Sequence, residues 1–99
     1  MKEYIKKPEV VEAVQFTSYD PDEISKILEW ANRERECIHY LTSSLFGNTE
    51  KVLMLDIADG TVTVLFEDWI IKDANGYVHS CRPDIFHLLY ERVSYEYPY

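Results

Sequence analysis

The stretch that decides the fold runs from residue 68 to residue 91, DWIIKDANGYVHSCRPDIFHLLYE. Residues 69–72, WIIK, and 77–81, YVHSC, are rich in β-formers and flank Asp73-Ala74-Asn75-Gly76. Asn-Gly supplies the positive φ angles that tight hairpins need, so this segment reads as a β-hairpin with Asn75-Gly76 at its tip. Pro83 then starts a short helix. Proline fits the first helical position, Asp84 falls in the first turn at the positive end of the helix dipole, and Ile85, Phe86, Leu88 and Leu89 supply apolar faces.

Working outward, the pattern repeats. Residues 51–57, KVLMLDI, and 61–66, TVTVLF, flank Ala58-Asp59-Gly60. Asp-Gly is a preferred type I′ pair, which predicts a second hairpin. Residues 37–42, CIHYLT, alternate as a strand. Residues 43–50, SSLFGNTE, read as a loop, with Leu45 and Phe46 as core flaps or exposed binding anchors. Residues 10–17, VVEAVQFT, read as a strand with Val10, Val14 and Phe16 on one face, interrupted by Glu12.

Between these strands lies the main helix, about residues 21–33. Asp20 is the predicted N-cap, Pro21 fits N1, and Glu23 at N3 can reach back to the cap. Ile24, Ile27, Leu28 and Ala31 form the apolar stripe, Trp30 flanks it, and Asn32 to Glu36 form a solvated charged end. The C-terminal YERVSYEYPY is aromatic and predicts a last strand. Together these elements predict α+β: one domain over residues 1–99, mostly antiparallel sheet, with one main helix and a short helix after Pro83.

A chain of 99 residues buries roughly 60–65% of its unfolded surface, enough to fold alone with little margin. No apolar run approaches the roughly 18 residues of a membrane span, and MKEYIKKPEVVEA lacks a signal-peptide core. The cytoplasm of the cell that makes the chain, and no membrane partner, are therefore expected. Cys37 and Cys81 are too sparse for a disulfide framework and are expected as thiols.

Net charge is −8, from 18 acidic and 10 basic side chains. Three of the lysines stand in the first seven residues beside one glutamate, which leaves 7 basic and 17 acidic groups in the rest. Such a surface repels nucleic-acid phosphates, so direct DNA or RNA binding is not expected. The same field attracts a basic groove, and it also serves plain solubility.

Three kinds of chemistry are candidates. Cys37-x-His39 and His79-x-Cys81 place four zinc-type ligands in strands, where i and i+2 share a face. Their spacing along a strand is wide for a zinc shell, and satisfied or exposed histidines are the favoured reading, so no metal is expected. Cys81 precedes Arg82 and a helix start, which can lower a thiol pKa; His79 or His87 could act as base and Asp84 orient it. Strand packing and helix capping account for the same residues. The acids cluster as Asp20/Asp22/Glu23, Glu34/Glu36, Asp56/Asp59 and Glu67/Asp68, an acidic binding face or simply caps and turns. Tyr90, Tyr95, Tyr97 and Tyr99 are interface anchors or strand-face packing. No phosphate loop, HExxH, CxxC or nucleophile elbow is present, so neither an enzyme nor a cofactor is expected.

KKPEVVEAVQFT (6–17) together with DWIIKDANGYVHSCRPDIFHLLYE (68–91) resembles a widespread family of small phage- and prophage-encoded proteins. Its pattern opens with Lys-Lys-Pro-x-Val-x-Glu-Ala and continues with Gly-Asp-Tyr-Ile-Ile-Lys-Gly, Cys-Lys-Pro-Asp-Ile-Phe and Tyr-Glu. The likeness covers about a third of the chain. Glu67 stands where the family has Gly, Trp69 where it has Tyr, Asp73 where it has Gly and Arg82 where it has Lys. The resemblance implies a phage origin and a bacterial host, and no reaction.

Small, acidic, non-enzymatic phage proteins often act by binding host components, including the basic channels of defence nucleases such as CRISPR effectors, so an anti-defence (anti-CRISPR-like) inhibitor is the leading expectation. A second is an oligomeric sponge for a defence nucleotide, which needs aromatic and cationic side chains such as Trp69, Tyr77, Arg82 and Arg92. A third is an accessory phage protein with no defence role. Trp69, Tyr77, Arg82, Tyr90 and Arg92, with Asp20, Asp22, Glu23, Glu67 and Asp68, are the candidate partner-binding residues.

Overall fold

The computed structural model describes residues 1–5, 7–45 and 48–93, and the side chains of these except residues 43–45 and 48–50. The chain is α+β. The described residues form strands β1 (Glu12–Gln15), β2 (Ile38–Leu45), β3 (Asn48–Ile57), β4 (Gly60–Val64), β5 (Trp69–Lys72) and β6 (Val78–Cys81), and helices α1 (Pro21–Ala31) and α2 (Pro83–Leu89). The strands make two antiparallel sheets, ordered β1-β5-β6 and β2-β3-β4. Phe16, Ile24, Ile27, Ala31, Cys37, Ile38, Leu53, Leu55, Val64 and Ile70 join both sheets and α1 in one buried cluster. Ile70 and Ile71 are both fully buried although successive strand side chains point to opposite faces, so β5 is covered on both sides.

Helix α1 starts where capping chemistry places it. The Asp20 carboxylate accepts from the Asp22 N–H at 3.0 Å. The reciprocal half of the expected capping box is not formed: the Asp20 N–H donates to the Ser18 hydroxyl, and Glu23 turns outward to Lys26 at 3.4 Å. The helix ends at Ala31, two residues before its predicted end. Asn32 turns inward there. Its side-chain oxygen accepts from the Cys37 and Ile38 N–H groups at 2.8 and 3.0 Å, and its amide donates to the Ile38 carbonyl at 2.9 Å. One polar side chain thereby ties the end of α1 to the start of β2.

Residues 43–50 depart from the predicted loop. Register Leu45↔Asn48 extends β2 and β3 into one long hairpin, because Thr42, Ser43, Ser44 and Thr49 suit an edge ladder as well as a loop. Phe46 lies outside the described residues. The predicted N-terminal strand shortens to Glu12–Gln15, and Val10 is exposed rather than sharing the buried face of Phe16. Glu12, which interrupts the apolar pattern, accepts from the Trp30 indole and sits opposite Lys72. The C-terminal strand is not present through residue 93; Tyr95, Tyr97 and Tyr99 lie outside the described residues.

The turns correct the sequence in detail. Ala58 and Asp59 lack the positive φ of a type I′ turn; only Gly60, at φ 137°, has it. In the β5–β6 hairpin Asp73 organises the tip. Its carboxylate accepts from the Asn75 and Tyr77 N–H groups, and its carbonyl accepts from Gly76, which alone takes a positive φ of 84°.

Glu67 is the only described non-glycine residue with positive φ, at 79°. The Asp68 N–H donates to the Leu65 carbonyl, making a tight turn with Glu67 in its third position, where glycine is normally required. Opposite it, the Glu67 N–H donates to Phe16 O and Phe16 N–H donates to Asp68 O, so two residues face one in a bulge of the kind that favours left-handed glycine. Replacing Glu67 with Gly removes the Cβ penalty but adds unfolded-chain entropy. The expected net gain is about 0.5–1 kcal/mol, or about 3–6 °C in Tm. Thermal unfolding checks it, with Glu67→Ala as the control that keeps the penalty and shows no gain.

Lys72 is buried on the core side of the first sheet. Its ammonium bonds Glu34 at 2.6 Å and the Trp30 carbonyl at 2.8 Å, so it caps the C-terminal end of α1 from another element. The bond from Lys72 holds the Glu34 carboxyl below its ordinary value of 4.5. The folded state therefore releases this proton more readily than the unfolded state. Its contribution to stability is complete above the ordinary value and is lost as pH falls through the lowered one. Urea unfolding at a series of acid pH values should show a shallower loss for Glu34→Gln than for the native chain.

Candidate binding groove

Trp69 opens β5, directly across from Cys81. Its indole stacks on Phe86 of α2 at 4.0 Å and 6° between planes, and Phe86 stacks in turn on Tyr90 at 5.1 Å. His87 meets both Trp69 and Phe86 edge-on. The Trp69 Nε1 is buried with no hydrogen-bond partner among the described residues, so stacking area holds the ring there. Tyr90 reaches His79 on β6 at 3.5 Å, which ties the end of α2 back to the sheet.

Beside this stack runs a groove of about 1030 Å³, bounded by the extended segment from Lys7 to Ala13 and by the end of α2. Trp69, Phe86, His87, Tyr90 and Arg92 line it on one side and Lys7 on the other. Ile85, Leu88, Leu89 and Val93 are exposed on and after α2, Leu88 at 80%. A seven-residue helix that buries only one edge leaves an apolar face bare.

Of the expected binding residues, Trp69, Tyr90 and Arg92 thus come together. Tyr77 does not: it stands at the far end of the β5–β6 hairpin, under the Arg35 guanidinium at 3.9 Å. Arg82 occupies the α2 N-cap position, exposed, and pairs with Asp84 at 3.6 Å rather than entering the groove. Phe86, the centre of the stack, was missed in the sequence. Its spacing of four from Tyr90 on a helix was the available signal.

The acidic residues divide. Asp68 is buried, its carboxylate accepting from the Leu65 N–H at 3.0 Å, so it is a turn residue and not part of a binding face. Asp20, Asp22, Glu23 and Glu67 are exposed. Tyr19 and Phe66 stack at 5.4 Å, both partly exposed, which brings the flanking Asp20 and Glu67 to one neighbourhood.

The two cysteine–histidine pairs are kept apart. Cys37 and His39 belong to the β2 side of one sheet, whereas His79 and Cys81 lie on β6 of the other. His39 bonds Asp56 at 3.1 Å, and the Cys37 thiol points to Ala31 O. Among the described residues no three His, Cys, Asp or Glu side chains gather as a metal site. Burial, with Asp68 and Asp84 nearby, pushes the Cys81 thiol up, opposite to what a nucleophile needs. Burial likewise raises Cys37, with Asp56 adding to it.

No helix among the described residues is long and apolar enough to cross a membrane. Comparison with protein-family models, with curated proteins and with solved structures finds no match to this chain.

Proposed function

We propose that the chain is a non-catalytic, phage-type binding protein that acts in a bacterial host cytoplasm by occupying a host protein, as an anti-defence inhibitor does. The observation that carries this is the concentration of apolar surface at α2. In a chain of net charge −8, Ile85, Leu88, Leu89 and Val93 lie exposed beside the Trp69–Phe86–Tyr90 stack. Exposed apolar patches with aromatic anchors are typical of protein interfaces. The surrounding acidity favours a partner with a basic surface, such as a nucleic-acid channel, and speeds encounter with it. The phage-type origin rests on the motifs at 6–17 and 68–91.

The test is retention of host-lysate proteins on the immobilised chain at graded salt, beside Leu88→Asp. Leu88 is almost fully exposed, so this change leaves the core intact. A host protein held at low salt, released as salt rises and lost on Leu88→Asp supports the proposal. Equal retention by both chains, or none, sinks it.

A second reading, the nucleotide sponge, is favoured by one observation: Lys7, His87 and Arg92 line the same groove as the aromatic stack. Cations beside stacking rings suit a nucleotide phosphate and base. A thermal-shift panel of cyclic dinucleotides and cyclic ADP-ribose-type signals decides it, since binding raises Tm by linkage. No shift across the panel ends it.

A further inference from the structure

A second surface lies along the outer edge of β1, facing α1. Among the described residues β1 is a terminal strand of the first sheet, paired only with β5. Phe16 N–H donates to Asp68 O across that pair. Hydrogen-bonding alternates along an antiparallel ladder, so Phe16, Val14 and Glu12 face β5 and the main-chain groups of Ala13 and Gln15 face outward. Among the described residues no hydrogen bond reaches the N–H or C=O of either.

Helix α1 overhangs this edge. A slot of about 300 Å³ runs between them, with Ala13, Val14 and Gln15 on one wall and Ile27, Trp30 and Glu23 on the other. The Trp30 indole, bonded to Glu12, closes one end. An unpaired strand edge beside a helix, with an apolar trough between, is the arrangement that receives an added strand: main-chain bonds supply affinity and alternate side chains supply selectivity.

We propose that this slot binds an extended, basic segment of a partner protein as an additional strand on β1. Two outward residues offer four main-chain hydrogen bonds, two to Ala13 and two to Gln15. An apolar side chain of the segment packs on Val14 and Ile27. Charge selects a basic sequence: Glu12 and Glu23 outnumber Lys26 at the slot, and the chain as a whole carries −8. A second folded copy is a poor occupant, because its own β1 edge would bring the same Glu12 and Glu23 against this acidic slot. The slot shares Glu12 and Ala13 with the rim of the α2 groove, and the outward main-chain groups of Ala13 and Gln15 and the facing side of α1 are what set it apart.

The experiment is a titration of the ¹⁵N-labelled full chain with three synthetic peptides: acetyl-RVTVRV-amide, its N-methylated form blocked at alternate amides, and the acidic DVTVDV. The basic peptide is expected to shift the Ala13 and Gln15 amides and slow their hydrogen exchange. Its N-methylated and acidic counterparts are expected to bind at least about tenfold more weakly. Ala13→Pro removes the outward N–H and crowds the edge without breaking a bond to β5, and edge strands tolerate proline. It should weaken the basic peptide by at least about tenfold while leaving the fold unchanged by circular dichroism. If that variant fails to fold, the comparison of N-methylated with unmodified peptide on the native chain carries the same test. Shifts confined to Trp69, Phe86 and Arg92, equal binding of all three peptides, or no binding overturns the proposal. So does protection of Ala13 and Gln15 without peptide: dependence on concentration would identify a second copy as the occupant, and independence the chain's own residues 1–11.

Discussion

Asn32→Ala is expected to lower unfolding stability by about 2–4 kcal/mol, a large share of the roughly 5–15 kcal/mol available to a domain. The substitution removes one small side chain and strands three main-chain groups: the N–H groups of Cys37 and Ile38 and the Ile38 carbonyl. Cys37 and Ile38 are both buried. Water replaces the lost partners poorly there, and each unsatisfied buried group costs about 1–3 kcal/mol. At about 4–8 °C per kcal/mol, Tm should fall by about 10–20 °C. Asn32→Asp keeps the accepting oxygen and loses the donor to Ile38, so its loss should be intermediate. Amide exchange adds a local readout: Cys37 and Ile38 should lose protection before the centre of β3 does. Equal stability of the native chain and Asn32→Ala would show that the α1–β2 junction is held by apolar packing alone.

Gly76→Ala should cost a similar amount, about 2–4 kcal/mol, for two separable reasons. Gly76 holds φ 84°, where an alanine pays about 1–2 kcal/mol, partly offset by the lower entropy of its unfolded chain. A Cβ there would also stand 2.9 Å from the Glu34 Cβ. That atom is the root of a side chain, not its flexible end, so the hairpin tip or the residues after α1 must move. Movement separates Glu34 from Lys72, which are 2.6 Å apart. Gly76→Ala should therefore also flatten the acid limb of the stability curve, as Glu34→Gln does. Gly76→Asn discriminates the two causes. Asparagine tolerates positive φ but carries the same Cβ, so near-equal losses for Ala and Asn identify the contact as dominant. Urea unfolding at neutral and acid pH measures both effects.

These two sites show what was hidden in the sequence. Asn32 stood in a run of charged and polar residues that reads as a solvated helix end. Its inward turn depends on where β2 starts, and no local pattern carries that information. Gly76 was legible as a turn residue, but its approach to Glu34, 42 positions earlier, was not. The same holds for Lys72. A lysine closing a β-run carries no local sign of burial, yet Lys72 is buried, bonded to the Trp30 carbonyl of α1 and to Glu34 in the turn that follows it. The candidate groove was half legible. Trp69, Tyr90 and Arg92 line it, whereas Tyr77 and Arg82 do not.

By itself the sequence determined the α+β class, the two helix starts, the strand pairs at 51–64 and 69–81 and the acidic surface. Those follow from period, caps and glycine placement, which act over a few residues. Only the tertiary structure decided that the strands split into two sheets, that Asp68 is buried and that Glu67 bears a left-handed backbone. It also decided that the cysteine–histidine pairs stand on different sheets and that β1 presents an open edge beneath α1. Each of these depends on which distant segments pack together, a choice made by burial of the common core rather than by any single stretch of chain.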